Sequence, residues 1–442
     1  MLLEFRATNY KSFRDELVFS LVPAPKQKGL DYSVLMAQAG TRTYKGLCSA
    51  VIYGANASGK TNIIGAMDTF KMIMLRGNIR NDSDRSSPNA AASALELIPN
   101  NSDQYSNPVK FAIKFIERNL LIEYAFSADI GRFLEVGYAR KILSETLKVN
   151  EKPIFSRDGG LEIGPLSVIE DYLVDAYGQN ARSAISLAKG SLNDQELFLM
   201  NGFKTMFSSE LTSLIAHWLD SKFMVIYRAD AMHLIQRFGD LKKNSVYVEK
   251  TLNEAARYFG INSNALGYVI KGDGSEAKLC SLFGEPDEGV AIPAEVFESY
   301  GTMRFVNMFP LVVYALWNGG TLVVDEFDAS IHPMALMSII NVFHNDDINI
   351  HGAQLIFNTH NPIFLNANLF RRDEIKFVER DDDTRCSTHY SLSDFGTKGK
   401  AGVRKNGDYM KNYFIDRYGA IKDVDFTPIF EGLLEGGERE EV

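Results

Sequence analysis

Apolar and polar positions change their period several times along the chain, and each change marks an element. Leu2 to Thr8 ("LLEFRAT") alternates and predicts a strand running into a turn. Residues 9–50 mix short apolar pieces with Pro23, Pro25 and several glycines, which predicts short strands and loops. "CSAVIYGA" (48–55) is an unbroken apolar run of strand length, and "KTNIIGAMDTFKMIML" (60–75) follows as a helix with an almost continuous apolar face. The polar stretch "RGNIRNDSDRSSPNAA" (76–91) reads as a loop. Beyond it, "VKFAIKFIE" (109–117) and "NLLIEYAFSAD" (119–129) predict paired strands about a tight turn, with further β-like pieces to about residue 165.

From about 167 to 265 the pattern turns helical, as in "SVIEDYLVDAYGQ" and "KNSVYVEKTLNEAARYFGI". It lacks the sustained heptad that a coiled-coil arm requires. Strand–helix units follow at "TLVVDEFDASIHP" and "AQLIFNTHNP", the first preceded by an apolar helix over 302–317. The expected organisation is α/β: an N-terminal lobe (1–166), a helical insertion (167–265) and a C-terminal lobe (266–442).

The chemistry begins where the first apolar run ends. "GANASGKT" (Gly54 to Thr61) matches G-x-x-x-x-G-K-[ST] in full and lies between a predicted strand and a predicted helix. Successive amides of such a loop, with the helix N-terminus behind them, make an anion site. Lys60 is placed to reach β- and γ-phosphates, and the Thr61 hydroxyl to ligate Mg²⁺. "TLVVDEFD" (321–328) delivers two adjacent acids at a strand's carboxyl end, the edge where ligands gather in open α/β sheets. Asp325 is expected to hold Mg²⁺ and Glu326 to orient and deprotonate an attacking water. "QLIFNTHNP" (354–362) is another strand, ending near His360, which is expected to hydrogen-bond the terminal phosphate and the water. In "FESYGTMRF" (297–305), Ser299 and Gly301 stand just before the apolar helix and can present its N-terminus to an anion.

Bulk properties narrow the setting without changing this picture. Apolar residues make up 45% of the 442 and charged residues 23%, the balance of a soluble globular chain. No run reaches the roughly 18 apolar residues of a spanning helix. The longest candidate, "FVNMFPLVVYALW" (305–317), is broken by Asn307 and Pro310. Glu4, Arg6 and Lys11 interrupt the start where a signal peptide needs an apolar core. Cys48, Cys280 and Cys386 are far apart and show no zinc or disulfide spacing, so a cytoplasmic location is expected. A net charge of −9 argues against broad affinity for nucleic acid.

Taken in chain order, these segments resemble the ABC/SMC/RecF-type P-loop ATPases, and within them the bacterial OLD-like and abortive-infection AAA-family ATP-binding proteins. "TNYKSF", "GANASGKTN", "ESYGT", "DEFDASIHP" and "IFNTHNP" resemble the opening, phosphate loop, signature, acid pair and switch histidine of that group. "RRDEIKFVER", "YSLSDF" and "DRYGAI" resemble its C-terminal segment. The resemblance implies an ABC-type ATPase head, with a mixed sheet around the P-loop and a helical insertion. It implies a homodimer that sandwiches two ATP·Mg²⁺, each between one subunit's loop and the other's Ser299-led helix.

Carried over by position, Asn56, Ala57, Ser58, Gly59 and Asn62 belong to the nucleotide loop, with Asn56 near the γ-phosphate. Lys11 is a further phosphate contact, and Thr302 completes the signature in place of a more common Gln. Asp328 lies in the segment that crosses the dimer interface. Ala57 stands where many relatives have Gly, which suits a backbone with φ < 0. The glutamine loop that usually helps to bind Mg²⁺ stays unassigned, with Gln104 in the right region.

The resemblance also implies an ATP-driven switch in anti-phage defence, of the PARIS type or similar, with a possible phage-encoded trigger. Its effector is expected to be a separate protein such as a Toprim nuclease, because few residues follow His360 and "FVERDDD" (377–383) reads better as a hairpin turn. The alternative is a RecF- or SMC-like ATPase that closes on DNA. "KGKAGVRKNGDYMKNYF" (398–414) mixes basic and aromatic residues, although a loop entering a helix explains it as well. A ring-forming AAA+ motor fits less well, because the insertion precedes the acid pair.

Overall fold

The apolar run that ends at Tyr53 lies near the centre of a six-stranded sheet. Its order is Phe223–Ile226, Thr321–Val324, Gln354–Asn358, Ser49–Tyr53, Ile375–Arg380 and Ser387–Ser391. The first five strands are parallel and the last is antiparallel. Parallel strands are covered on both faces and so need apolar residues at almost every position. Ser49–Tyr53, Thr321–Val324 and Gln354–Asn358 are buried along their whole length. The register sets Val324 beside Phe357, and Asn358 beside Ile52. The residues that follow these strands therefore emerge at one edge.

The structure, a computed structural model, describes residues 1–25, 27, 29–80, 95–102, 106–174, 177–228, 254–258, 265–269, 278–284, 290–397, 402–404, 407–422 and 424–435. A second, antiparallel sheet runs Leu161–Ile163, Lys152–Asp158, Lys141–Val149, Leu120–Asp129, Val109–Glu117, Leu2–Thr8 and Leu17–Ser20. The helix Lys60–Arg76 is sandwiched between the two sheets. Its Ile63, Met67 and Phe70 share a core with Ile52 and Ile356 of the mixed sheet and with Phe5, Phe111 and Phe126 of the antiparallel one. The Phe70 ring lies 5.8 Å from Phe5 and 6.1 Å from Phe126. Burial on both sides explains why this helix shows almost no polar stripe.

The opposite face of the mixed sheet, carrying Val51, Tyr53, Val324 and Phe357, packs against the helices Tyr300–Asn318 and Pro333–Phe343. At the far end of the strands Cys48, His344 and Glu374 converge, their ligand atoms within 4.8 Å of one another. The Ser49 hydroxyl sits 2.9 Å from His344 Nε2 and donates to Glu374 Oε1 at 2.6 Å. These buried polar groups satisfy one another and pin the start of the central strand.

Two features differ from the sequence expectation. The segment expected to be a helical insertion contains Phe223–Ile226, the edge strand of the mixed sheet. Leu197, Phe203, Leu211 and Trp218, which precede it, pack into the same core as the loop helix. Four apolar residues in a row are too few for periodicity to tell a buried strand from a helix. The three-stranded sheet Ala265–Val269, Lys278–Phe283 and Val290–Pro293, just before the Ser299-led helix, also escaped the pattern. Of the helix expected over 243–261, only 254–258 lies among the described residues, and residues 81–91 of the polar loop lie outside them. Among the described residues no helix is long and apolar enough to cross a membrane.

Candidate functional site

The glycine-rich loop joins the central strand to the helix at Lys60. Gly59 has φ 109°, a conformation closed to side chains, and a Cβ there would meet the hydroxyls of Ser12 and Ser387 at 2.6 Å. Those hydroxyls brace the loop from behind: Ser387 donates to Ser58 O at 2.5 Å, and Ser12 accepts from Asn62 Nδ2 at 2.8 Å. Ala57 corrects an expectation. Its φ is +61°, not negative, so the loop holds an alanine in the left-handed region at a cost of about 1 kcal/mol. Arg380 Nη1 donates to Ala57 O at 3.4 Å. Asn56 and Ala57 are exposed at the loop's tip. They line a 390 Å³ cavity shared with Arg380, Arg385 and Lys422.

Lys60 is buried, and its ammonium donates to Gly54 O at 2.8 Å and Ala55 O at 3.0 Å. Burial lowers its pKa to about 8, against the raising pull of Glu326, Asp325 and Asp328. A desolvated ammonium held only by carbonyls is suited to an anion. The Ser58 hydroxyl of the same loop is buried without a partner among the described residues.

The strand end that carries the acid pair lies against the loop. Thr61 Oγ1 donates to Asp325 Oδ1 at 3.1 Å, which puts two hard oxygens together, the ligand type Mg²⁺ prefers. Asn358 Nδ2 donates to the same Asp325 oxygen at 2.6 Å, and Asn358 Oδ1 accepts from the Glu326 amide. Glu326 has φ 52° and an exposed side chain. Thr359 donates to Asp328 Oδ2 at 2.6 Å, so that the acid segment is tied to the histidine strand. His360 lies two residues beyond Asn358 with an exposed side chain. Desolvation and then the Lys60 charge lower its pKa, favouring the neutral ring. The loop, Asp325 and the 358–360 segment therefore form one constellation whose donor set fits ATP with Mg²⁺.

Two groups of expected residues lie elsewhere. Lys11 has its ammonium on Glu96 and on Tyr227 Oη, the latter at 2.9 Å. Burial lowers the Lys11 pKa. Although burial pushes Glu96 upward, hydrogen bonds from Lys11 and Tyr227 hold it below its usual range. Lys11 is thus committed to a carboxylate rather than presented to the loop; the polypeptide turns at φ 47° here and aims the side chain at residue 96. Ser299 Oγ accepts from the Thr302 amide at 3.1 Å and lies 2.8 Å from Thr302 Oγ1, an ordinary N-cap on an exposed helix start. Gly301 abuts the acid segment of its own chain, where a Cβ would meet Ser330 O at 2.2 Å.

Sequence reasoning overlooked Asn358, Thr359, Arg304 and Ser387. The first two stood inside a quoted motif and could have been found from their place at a strand end. Ser387 had no signal, because its strand reaches the loop only through the fold. Gln104, Lys398, Lys400 and Lys405 lie outside the described residues. The turn after Arg380 is the hairpin expected for "FVERDDD".

The family described as "AAA domain, putative AbiEii toxin, Type IV TA system" matches residues 49–366. No curated protein matches the sequence. A solved structure described as the SmcHead bound to the C-winged helix domain of ScpA is similar at 13% identity and a TM-score of 0.42, covering 89% of this chain and 99% of that one.

Proposed function

The chain belongs to that AAA-domain family of P-loop ATPases, and from this premise we propose that it is an ATP-hydrolysing switch that closes as a homodimer. The carrying observation is an asymmetry between the two halves of the expected site. Lys60, Thr61, Asp325 and Asn358 are gathered within one subunit, whereas Ser299 is exposed and, among the described residues, bonded only within its own helix. The positive end of that helix, with Ser299 at its tip, can face an anion held by another subunit.

In this reading the loop amides and Lys60 bind the phosphates, and Thr61 and Asp325 hold Mg²⁺, which supplies charge neutralisation when bound. Glu326 accepts a proton from the attacking water, and neutral His360 hydrogen-bonds at the terminal phosphate. Ser299, Gly301 and Thr302 of the second subunit close over the same phosphate. Asp328 accompanies them across the interface, and Asn56 with Asn62 lines the near side.

The output of the switch is a separate effector, a nuclease of the Toprim type, released or held back in anti-phage defence. The family description, with its toxin and toxin–antitoxin terms, supports this class of role.

Mixing two inactive variants tests the shared site. Lys60→Ala spoils the loop and Ser299→Arg spoils the helix start, so each alone should hydrolyse almost no ATP. Mixed in equal amounts they should regain up to about a quarter of wild-type hydrolysis, since half the dimers then hold one intact composite site. If the wild type is active and the mixture neither hydrolyses ATP nor forms ATP-dependent heterodimers, the two halves do not come from different subunits.

A further inference from the structure

Arg304 lies one turn into the Ser299-led helix and is 8% exposed. Its Nη2 donates to the carbonyl of Glu326 at 2.5 Å and to that of Asp325 at 3.4 Å, and its Nε is buried without a partner among the described residues. A buried guanidinium placed on main-chain carbonyls is a costly arrangement. What it holds is unusual as well. Glu326 is a non-glycine residue at φ 52°, a conformation that persists only where the surroundings over-determine it. The surroundings do so from both ends: the Glu326 amide is bonded to Asn358 Oδ1 and its carbonyl to Arg304. Because the Glu326 side chain is exposed, its direction is set by this backbone clamp rather than by packing.

A second contact joins the same two elements. Gly301 presses against Ser330 O so closely that a Cβ would come within 2.2 Å. The start of the helix and the segment from Asp325 to Ser330 are therefore tied at two points, at the Asp325 and Glu326 carbonyls and at Ser330.

We propose that Arg304 is a positioning residue which transmits the placement of the Ser299-led helix to the backbone of Glu326. In the dimer of the proposed ATPase, on which this inference rests, each Ser299 end engages the triphosphate bound by the other subunit. Arg304 then makes the readiness of a subunit's own base depend on whether its helix has found that second nucleotide. Hydrolysis at the two sites is coupled through a cation that touches neither ATP.

Arg304→Gln removes the guanidinium at similar length, and Arg304→Lys keeps a cation with a single donor head. In Arg304→Gln the kcat for ATP is expected to fall about 30-fold or more, with ATP affinity within about threefold of wild type and ATP-dependent dimerisation retained, since positioning contributes to the chemical step rather than to binding. Arg304→Lys should recover part of kcat. Hydrogen exchange on the nucleotide-free protein is a separate readout: a peptide spanning 325–330 should exchange faster in Arg304→Gln, while the loop helix is unchanged.

An active wild type matched by Arg304→Gln in both kcat and exchange would overturn the coupling and leave the ATPase reading intact. Loss of ATP binding in step with kcat in both variants would reduce Arg304 to packing, which also overturns it. A wild-type protein that neither binds nor hydrolyses ATP would sink the underlying reading instead. The exchange measurement, which needs no nucleotide, distinguishes that failure from a failure of the clamp.

Discussion

On the proposed reading the phosphate loop and the Ser299 helix start both receive an anion, yet they are finished to different degrees. Around the loop the segments that follow three strands are tied together: Thr61 and Asn358 bond to Asp325, and Thr359 to Asp328. At Ser299 the bonds are local and the surface is open. A site whose polar groups satisfy each other is rigid before its ligand arrives. One whose cap bonds only to itself waits for something external. On the proposed reading, the first region holds nucleotide and the second senses a neighbour.

The contrast can be broken by experiment, most forcefully at the base. Glu326→Gln should lower hydrolysis roughly 10²–10⁴-fold, the usual contribution of a general base, while ATP still binds and a closed dimer accumulates. Phosphate release together with light scattering reads both effects, and hydrolysis at the normal rate would remove Glu326 from the role. Lys60→Ala should weaken ATP binding by about 3 kcal/mol or more, because it deletes a desolvated charge partner; equilibrium binding of a fluorescent ATP analogue measures it.

Ser299→Arg sharpens the comparison from the other side. Each subunit should bind nucleotide normally but stay monomeric with ATP, even when combined with Glu326→Gln. Persistent dimers in that double variant would mean that the exposed helix start is not an interface.

A smaller effect follows from the buried ammonium. With Lys60 at about 8 rather than 10.5, the unfolded chain binds more protons than the native one between those values, so this group's contribution to stability rises with pH across that window. A bound triphosphate restores the charge. ATP affinity should therefore decline above about pH 8, and binding there should take up a proton. Calorimetry in two buffers of different ionisation heat detects the uptake, and its absence would contradict the depressed Lys60. The smallest effect is at the loop's tip: Ala57→Gly should relieve the left-handed alanine, stabilising the free protein by about 0.5–1 kcal/mol, visible as a small rise in Tm.

The loop, the acid pair and the histidine were legible because each lies at the end of an apolar run, where period and polarity change together. Val109–Glu117 and the helix from Lys60 were legible for the same reason. Phe223–Ile226 was not, since four buried residues carry no period of their own. Lys11 misled because a motif position tells where the backbone runs and not which carboxylate the side chain meets; Glu96 is 85 residues away in the chain.

The sequence alone settled the order of chemical groups and the strand-and-helix frame around them, because local periodicity and loop glycines act within a few residues. Only the tertiary structure decided which groups touch. Asn358 on Asp325, Ser387 under the loop and Arg304 on the Glu326 carbonyl all join residues far apart in the chain. Such contacts depend on strand register and helix packing, which arise from the burial of whole faces and leave no mark on any single stretch of residues.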